Sequence, residues 1–176
     1  GVQTCALPIS TSYLDLGKAC FTIEGSDAHL AELKALFSEM GNTVVAISPD
    51  SKALYHAAAV MVSNQIVALA DMGTALLVKC GFSEAAAAEA LSPLLLGNAQ
   101  SVAEKGAVNA LTGPIERGDA QTVSKHLQEI RKFAAESTVG QDILTAYTAL
   151  SKQLIRIARQ KHPHKDYKHL EKELEQ

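Results

Sequence analysis

The sequence predicts a mostly α-helical chain with a single βαβ unit on its N-terminal side and a helical bundle after it. Three observations lead there. Alanine is the commonest of the 176 residues, aromatic residues amount to 5% and Trp is absent; Ala is the strongest helix former, whereas aromatics favour strands. Two short runs of aromatic and β-branched residues, 18–23 (KACFTI) and 43–47 (TVVAI), flank one stretch with helical spacing of its apolar residues. Beyond residue 50 the apolar patterning is helical. With 47% hydrophobic and 20% charged residues the chain has material for a core, and its length suits one domain, or one with a piece of another.

Residues 1–9, GVQTCALPI, read as the in-frame translation of a sequencing-library adaptor and are set apart from the fold. The natural sequence is expected to begin near Ser10 and to have lost residues upstream. The segment lacks the basic region and continuous apolar region of a signal peptide. Residues 18–23 form a strand that ends at Glu24-Gly25-Ser26. Ser26 or Asp27 caps the next helix, where Leu30, Leu33, Leu36, Phe37 and Met40 recur at helical spacing, and Gly41-Asn42 stops it. Residues 43–47, apolar throughout, predict a second strand buried on both faces. Strand, helix and strand within about thirty residues make a βαβ unit. Two strands do not form a stable sheet alone, so the unit reads as part of a cut domain.

Ser48 and Pro49 open a long helix, as N-cap and first helical residue. From 53 to 78 its only charge is Asp71, and one helix of that length spans roughly 39 Å at 1.5 Å per residue. A membrane span is the obvious rival, but His56, Ser63, Asn64, Gln65 and Asp71 fall through it and Lys52 stands at its start. A helix apolar on nearly all sides belongs instead in a bundle centre or a subunit interface. Ser83 caps a helix over 84–91, and Ser92-Pro93 starts another that ends near Gly106. Asp119 caps one running to about Glu136, and 142–160 form the last long one, with Ile143, Tyr147, Leu150, Leu154, Ile157 and Ala158 as its apolar stripe. Beyond His162-Pro163, alternating Lys and Glu predict a solvated or fraying tail.

Charge and cysteines exclude several classes. A formal charge of −3 leaves no basic footprint for nucleic acid or an anionic membrane. Cys5, Cys20 and Cys80 make neither a disulfide framework nor a zinc set, which fits a reducing cytoplasm. His162, His164 and His169 flank a proline without Cys or clustered carboxylates, so no metal site is expected. Arg117-Gly118-Asp119 spells an adhesion tripeptide by coincidence. Neither G-x-G-x-x-G nor G-x-x-x-x-G-K-[ST] occurs.

Two sets of residues have the chemistry for a site. Lys52 and His56 stand at i and i+4, on one helix face, and Ser63 and Asn64 follow seven and eight residues after His56. An ammonium, an imidazole, a hydroxyl and an amide on one side suit the holding and protonation of a carbonyl or imine. The plain structural alternative is a satisfied core histidine, a solvated lysine and two interhelical hydrogen bonders. The second set lies in LTGPIERGD, 111–119, expected as a non-helical loop between helices. Thr112 offers a hydroxyl, Gly113 an approachable backbone and Arg117 a fixed charge. The alternative is a connector whose Asp119 caps the next helix, which leaves Thr112-Gly113-Pro114 without a purpose.

The run KALYHAAAV (52–60), then Ser63-Asn64, then LTGPIERGD (111–119) resembles the Rossmann-like bacterial proteins that carry the C-terminal domain of unknown function 2520. The resemblance covers about residues 10–159. More distantly the chain is similar to ketopantoate reductase and pyrroline-5-carboxylate reductase, which pair an NAD(P)-binding Rossmann domain with a helical domain of the 6-phosphogluconate dehydrogenase C-terminal type. The resemblance implies that 10–48 are a Rossmann remnant and that 49–161 are the helical substrate and dimerisation domain; the charged tail, 162–176, lies beyond it. It implies a homodimer through helix 53–78, a small-molecule carbonyl or imine substrate, and NADP or NAD as cofactor of the full-length protein, with this fragment inactive alone. Lys52 then matches a lysine that serves substrate binding and proton transfer, while His56 stands where related reductases have an Asn. Both are expected to be catalytic, and Ser63, Asn64, Thr112, Gly113 and Pro114 to bind substrate. The alternative class is a non-catalytic nucleotide sensor or scaffold whose helical domain only dimerises.

Overall fold

The expected βαβ unit is present. The computed structural model describes residues 2–4, 19–25 and 27–175, and the chain divides into two units, Gly1–Ala68 and Leu69–Gln176. The first unit holds a sheet of order β1-β2-β3: β1 (Val2–Thr4), β2 (Cys20–Ile23) and β3 (Thr43–Ala46). β2 and β3 are parallel, with Cys20 opposite Thr43 and Ile23 opposite Ala46. Helix α1 (Asp27–Glu39) is the crossover between them. β1, in the segment expected to stand apart from the fold, pairs antiparallel with β2 instead. Lys18 and the Ser26 cap lie outside the described residues, as do 1 and 5–9.

Phe37 of α1 stacks on Phe21 of β2 with ring centroids 4.4 Å apart, which fixes the helix against the sheet. Gly41 ends the turn after α1 at φ +83°, a conformation that costs a glycine little. β2 is buried through Phe21, Thr22 and Ile23. β3 is not buried on both faces as its composition predicted, since Val45 remains 46% exposed. Its place at the end of the strand order explains this, because parallel strands are covered twice only when flanked by further strands and helices.

The single helix expected over 53–78 is two. A 3-10 turn (Pro49–Ser51) leads into α2 (Lys52–Val62), and α3 (Asn64–Lys79) follows after Ser63 at φ −115°, ψ −74°. The Ser63 hydroxyl bonds the Ala59 carbonyl at 2.7 Å, the side-chain competition with backbone pairing that bends helices. A second expectation also changes. Pro93 does not start a helix: α4 (Glu84–Ala110) runs through it and departs from helical geometry only at Gly106, φ +73°. Proline keeps a helix-compatible φ and forfeits one hydrogen bond, which the surrounding Ala and Leu tolerate.

The remaining helices make the core of the second unit. They are α5 (Pro114–Arg117), α6 (Ala120–Glu136), α7 (Thr138–Lys161) and α8 (Lys168–Glu175). The Asp119 carboxylate accepts from Thr122 N–H at 3.0 Å and caps α6 as expected; Ser137 caps α7 through Gly140 N–H at 3.0 Å. Val123 and Leu127 of α6 and Ile155 and Ala158 of α7 pack together with Leu111 and Ile115. The C-terminal segment is not the solvated tail its charge predicted. Tyr167, Leu170 and Leu174 are buried in that same core, because their spacing of three and then four residues makes one apolar stripe within the Lys/Glu alternation.

Candidate functional site

In the first unit the chemistry gathers at the carboxyl end of the parallel strands. Glu24 directly follows β2, and the segment after β3 turns through Ser48-Pro49 into α2. Ser48 has the extended backbone of an N-cap but makes no capping bond; its hydroxyl lies 2.9 Å from that of Ser51. Lys52, the first residue of α2, reaches back with Nζ 2.7 Å from Glu24 Oε1. That hydrogen bond holds the Glu24 carboxyl below its ordinary pKa, against the opposing effect of desolvation and with the Lys52 charge adding to it. His56 is exposed one helical turn further on.

Ser63 and Asn64 stand at the break between α2 and α3. The Ser63 hydroxyl is within hydrogen-bond distance of both Ala59 O and Asn64 Oδ1, 2.7 and 3.0 Å. Its one proton serves one of them at a time.

In the second unit 111–119 is not wholly a loop, for α5 forms one helical turn within it. Gly113 takes φ +99°, ψ −172°, and a Cβ there would meet nothing within 4 Å. Its backbone therefore borders open space, with Thr112 exposed beside it and Pro114 opening α5. Gly118, at φ +71°, ends α5 in the left-handed conformation. Gly118-Asp119 is thus the stop of one helix and the cap of the next, which accounts for the adhesion-like tripeptide. Lys52 and His56 belong to one unit and Thr112, Gly113 and Pro114 to the other.

The C-terminal residues hold this segment from both ends. Lys161 Nζ donates to the Leu111 carbonyl at 2.7 Å. The Glu116 carboxylate takes His162 Nε2 at 2.7 Å and faces Lys161 Nζ at 3.5 Å. The Glu116 carbonyl accepts from Tyr167 Oη at 3.0 Å and from Lys165 Nζ at 3.5 Å. The bond from His162 lowers the Glu116 pKa, desolvation opposes it, and Lys161 reinforces the lowering.

Sequence reasoning missed Glu24 and this C-terminal clasp. Glu24 is 28 residues from Lys52 and His162 is 46 from Glu116, so no local pattern announces either pair. One signal was available for Glu24: it is the first residue after a predicted parallel strand, where ligand-facing groups of α/β sheets collect. Among the described residues no three His, Cys, Asp or Glu side chains group as metal ligands. The stretch Pro49–Lys79 contains an 18-residue window of mean hydropathy 1.4, apolar enough by length and composition to cross a membrane, and none of that window is buried.

Comparison with known proteins agrees with this architecture. Protein TM1727 of Thermotoga maritima, at 26% identity and a TM-score of 0.74, is similar over 91% of this chain and 61% of its own. BF3122 of Bacteroides fragilis, named as a proposed NADP oxidoreductase, is 25% identical with a TM-score of 0.54, over 81% of this chain and 51% of its own. The chain thus spans about three-fifths and one-half of the lengths of these two proteins. No curated protein matches it. The sequence pattern of the family described as domain of unknown function, DUF2520, matches residues 19–154, and with its βαβ unit and helical remainder the chain belongs to that family.

Proposed function

We propose that the complete protein is an NAD(P)-dependent reductase of a small carbonyl or imine compound, cytoplasmic and homodimeric, and that this chain supplies its substrate-facing part. The observation that supports the reading is the place of Lys52: an ammonium at the carboxyl edge of parallel strands, where ligands of such sheets bind. Lys52 Nζ donates a proton to the substrate oxygen or nitrogen, and solvent returns one to the amine. His56 is the second donor on the same face. Ser63 and Asn64 in the first unit offer a hydroxyl and an amide for substrate binding, and Thr112-Gly113-Pro114 in the second offers a hydroxyl and open backbone.

A nicotinamide cofactor, NADP or NAD, would supply the hydride. The residues of this chain do not fit its diphosphate. They contain no glycine-rich phosphate loop, and the Lys52 ammonium at the strand edge is already paired with Glu24. The chain by itself is therefore expected to be inert toward NADPH.

The test is calorimetric titration of the complete protein with NADPH and NADH, followed by NADPH oxidation against small 2-oxo acids, ketones and cyclic imines. Lys52→Ala is expected to lower kcat/KM by about a hundredfold or more with unchanged circular dichroism. Absence of saturable nucleotide binding refutes the reading. A second reading, a nucleotide sensor or scaffold, draws support from Ser63, whose hydroxyl is engaged within its own helix break. It predicts nucleotide binding without turnover, indifferent to Lys52→Ala.

A further inference from the structure

We infer that Glu24 is a positioning residue that holds the Lys52 ammonium at the strand edge. The inference rests on the reading of Lys52 as the substrate-facing cation.

Lys52 is oddly placed for a merely solvated lysine. It is the first residue of α2, whose first turn carries no acidic residue, and a cation there runs against the helix dipole. The backbone is fixed on its N-terminal side by the Pro49–Ser51 turn, closed by the Ser51 N–H bond to the Ser48 carbonyl at 3.0 Å. The side chain has two courses, extension into water or return toward the sheet. It returns, and its 2.7 Å contact with Glu24 spans 28 residues of chain.

The pair is too open to serve chiefly as a strut. The Lys52 side chain is 55% exposed and that of Glu24 22%, and ion pairs of this kind contribute little to stability. What the contact does is select one arrangement of a long, flexible side chain, the orienting that makes a donor effective. Glu24 is well suited to that role. It leaves β2, which is more buried than β3 and whose Phe21, Thr22 and Ile23 anchor the backbone. Its carboxyl, held below the ordinary value by Lys52, stays anionic throughout the neutral range.

The test labels amines with acetic anhydride and reads peptides by mass spectrometry, using the exposed Lys34 of α1 as the internal reference. In this chain Lys52 is expected to label several-fold more slowly than Lys34. Glu24→Gln, close in shape and uncharged, is expected to bring the two rates together, and Glu24→Asp to fall between. In the complete protein Glu24→Gln is expected to lower kcat about tenfold with little change in KM for the nucleotide, and Glu24→Asp to restore part of it. Equal labelling of Lys52 in the parent chain and Glu24→Gln overturns the inference, and so does altered labelling with unaltered turnover. If the parent shows protected Lys52 but reduces no carbonyl or imine, the reductase reading falls by itself, while the labelling series still decides whether Glu24 sets the place of Lys52.

Discussion

A single hydrogen atom in place of a methyl group decides how closely α6 and α7 approach. Gly140 lies in the first turn of α7, and a Cβ built there would run into the carbonyl group of Phe133 and the amide of Ala134. Backbone has no rotamer to yield, so the turn at Ser137 would have to open. Ser137 ends α6 and caps α7 at once, and both of its roles depend on that closeness. Gly140→Ala is therefore expected to destabilise the second unit by about 1–3 kcal/mol, although Ala is the better helix former. Urea unfolding followed by circular dichroism measures it; an unchanged or raised midpoint contradicts the close-approach argument. Gly113 is the opposite case. Space beside it is free, and only its positive φ demands glycine. The restriction at Gly140 comes from a neighbour, that at Gly113 from its own backbone.

At the scale of elements, the clasp between 111–119 and the C-terminal segment makes stability pH-dependent in a fixed direction. Glu116 faces His162 and Lys161 at the end of α7, with Lys165 and Tyr167 on its carbonyl. A carboxyl whose folded pKa is lowered stabilises the fold above its unfolded pKa and loses that contribution as the pH falls through the folded value. The melting temperature is expected to decline as the pH drops below the ordinary Glu value of about 4.3, and Glu116→Gln to flatten that decline. Parallel curves for parent and variant would show that the clasp does not govern acid stability. The same elements show how far the sequence could be read. β2, α1, β3 and the Asp119 cap were legible because each follows from local spacing and a cap or stop residue. The break at Ser63 was not, since it turns on whether one hydroxyl bonds its own helix. The burial of α8 was hidden under its charges: Leu170 and Leu174 carry the element, while Lys and Glu carry the composition. At the candidate site, Lys52 and His56 were legible as a spacing, whereas Glu24 and His162 depend on folding across 28 and 46 residues.

For the whole molecule, the salient feature is apolar surface without a partner. Leu54 and Val62 on α2 are 76% and 71% exposed, Val67 on α3 69% and Leu96 on α4 66%. Large apolar side chains exposed to this degree mark interaction surface rather than an ordinary monomer exterior. A bilayer is a poor occupant, because Asp71 lies within the apolar stretch and a carboxylate at bilayer depth costs about 2.5–3.5 kcal/mol on insertion scales. Lys79, at the end of that stretch, is bound to Glu136 of α6 rather than facing outward alone. A second copy of the chain suits the face better, since its own apolar helices match in character and length, as in obligate dimers whose interfaces resemble a divided core. Sedimentation velocity is expected to show a dimer at micromolar concentration, with a melting temperature that rises with concentration. Placing charge on α2, as in Leu54→Glu with Val62→Glu, is expected to yield monomers and to abolish the concentration dependence. If parent and double variant sediment alike as monomers, and the parent does not float with anionic vesicles, the apolar face needs an occupant other than a copy of itself or a membrane.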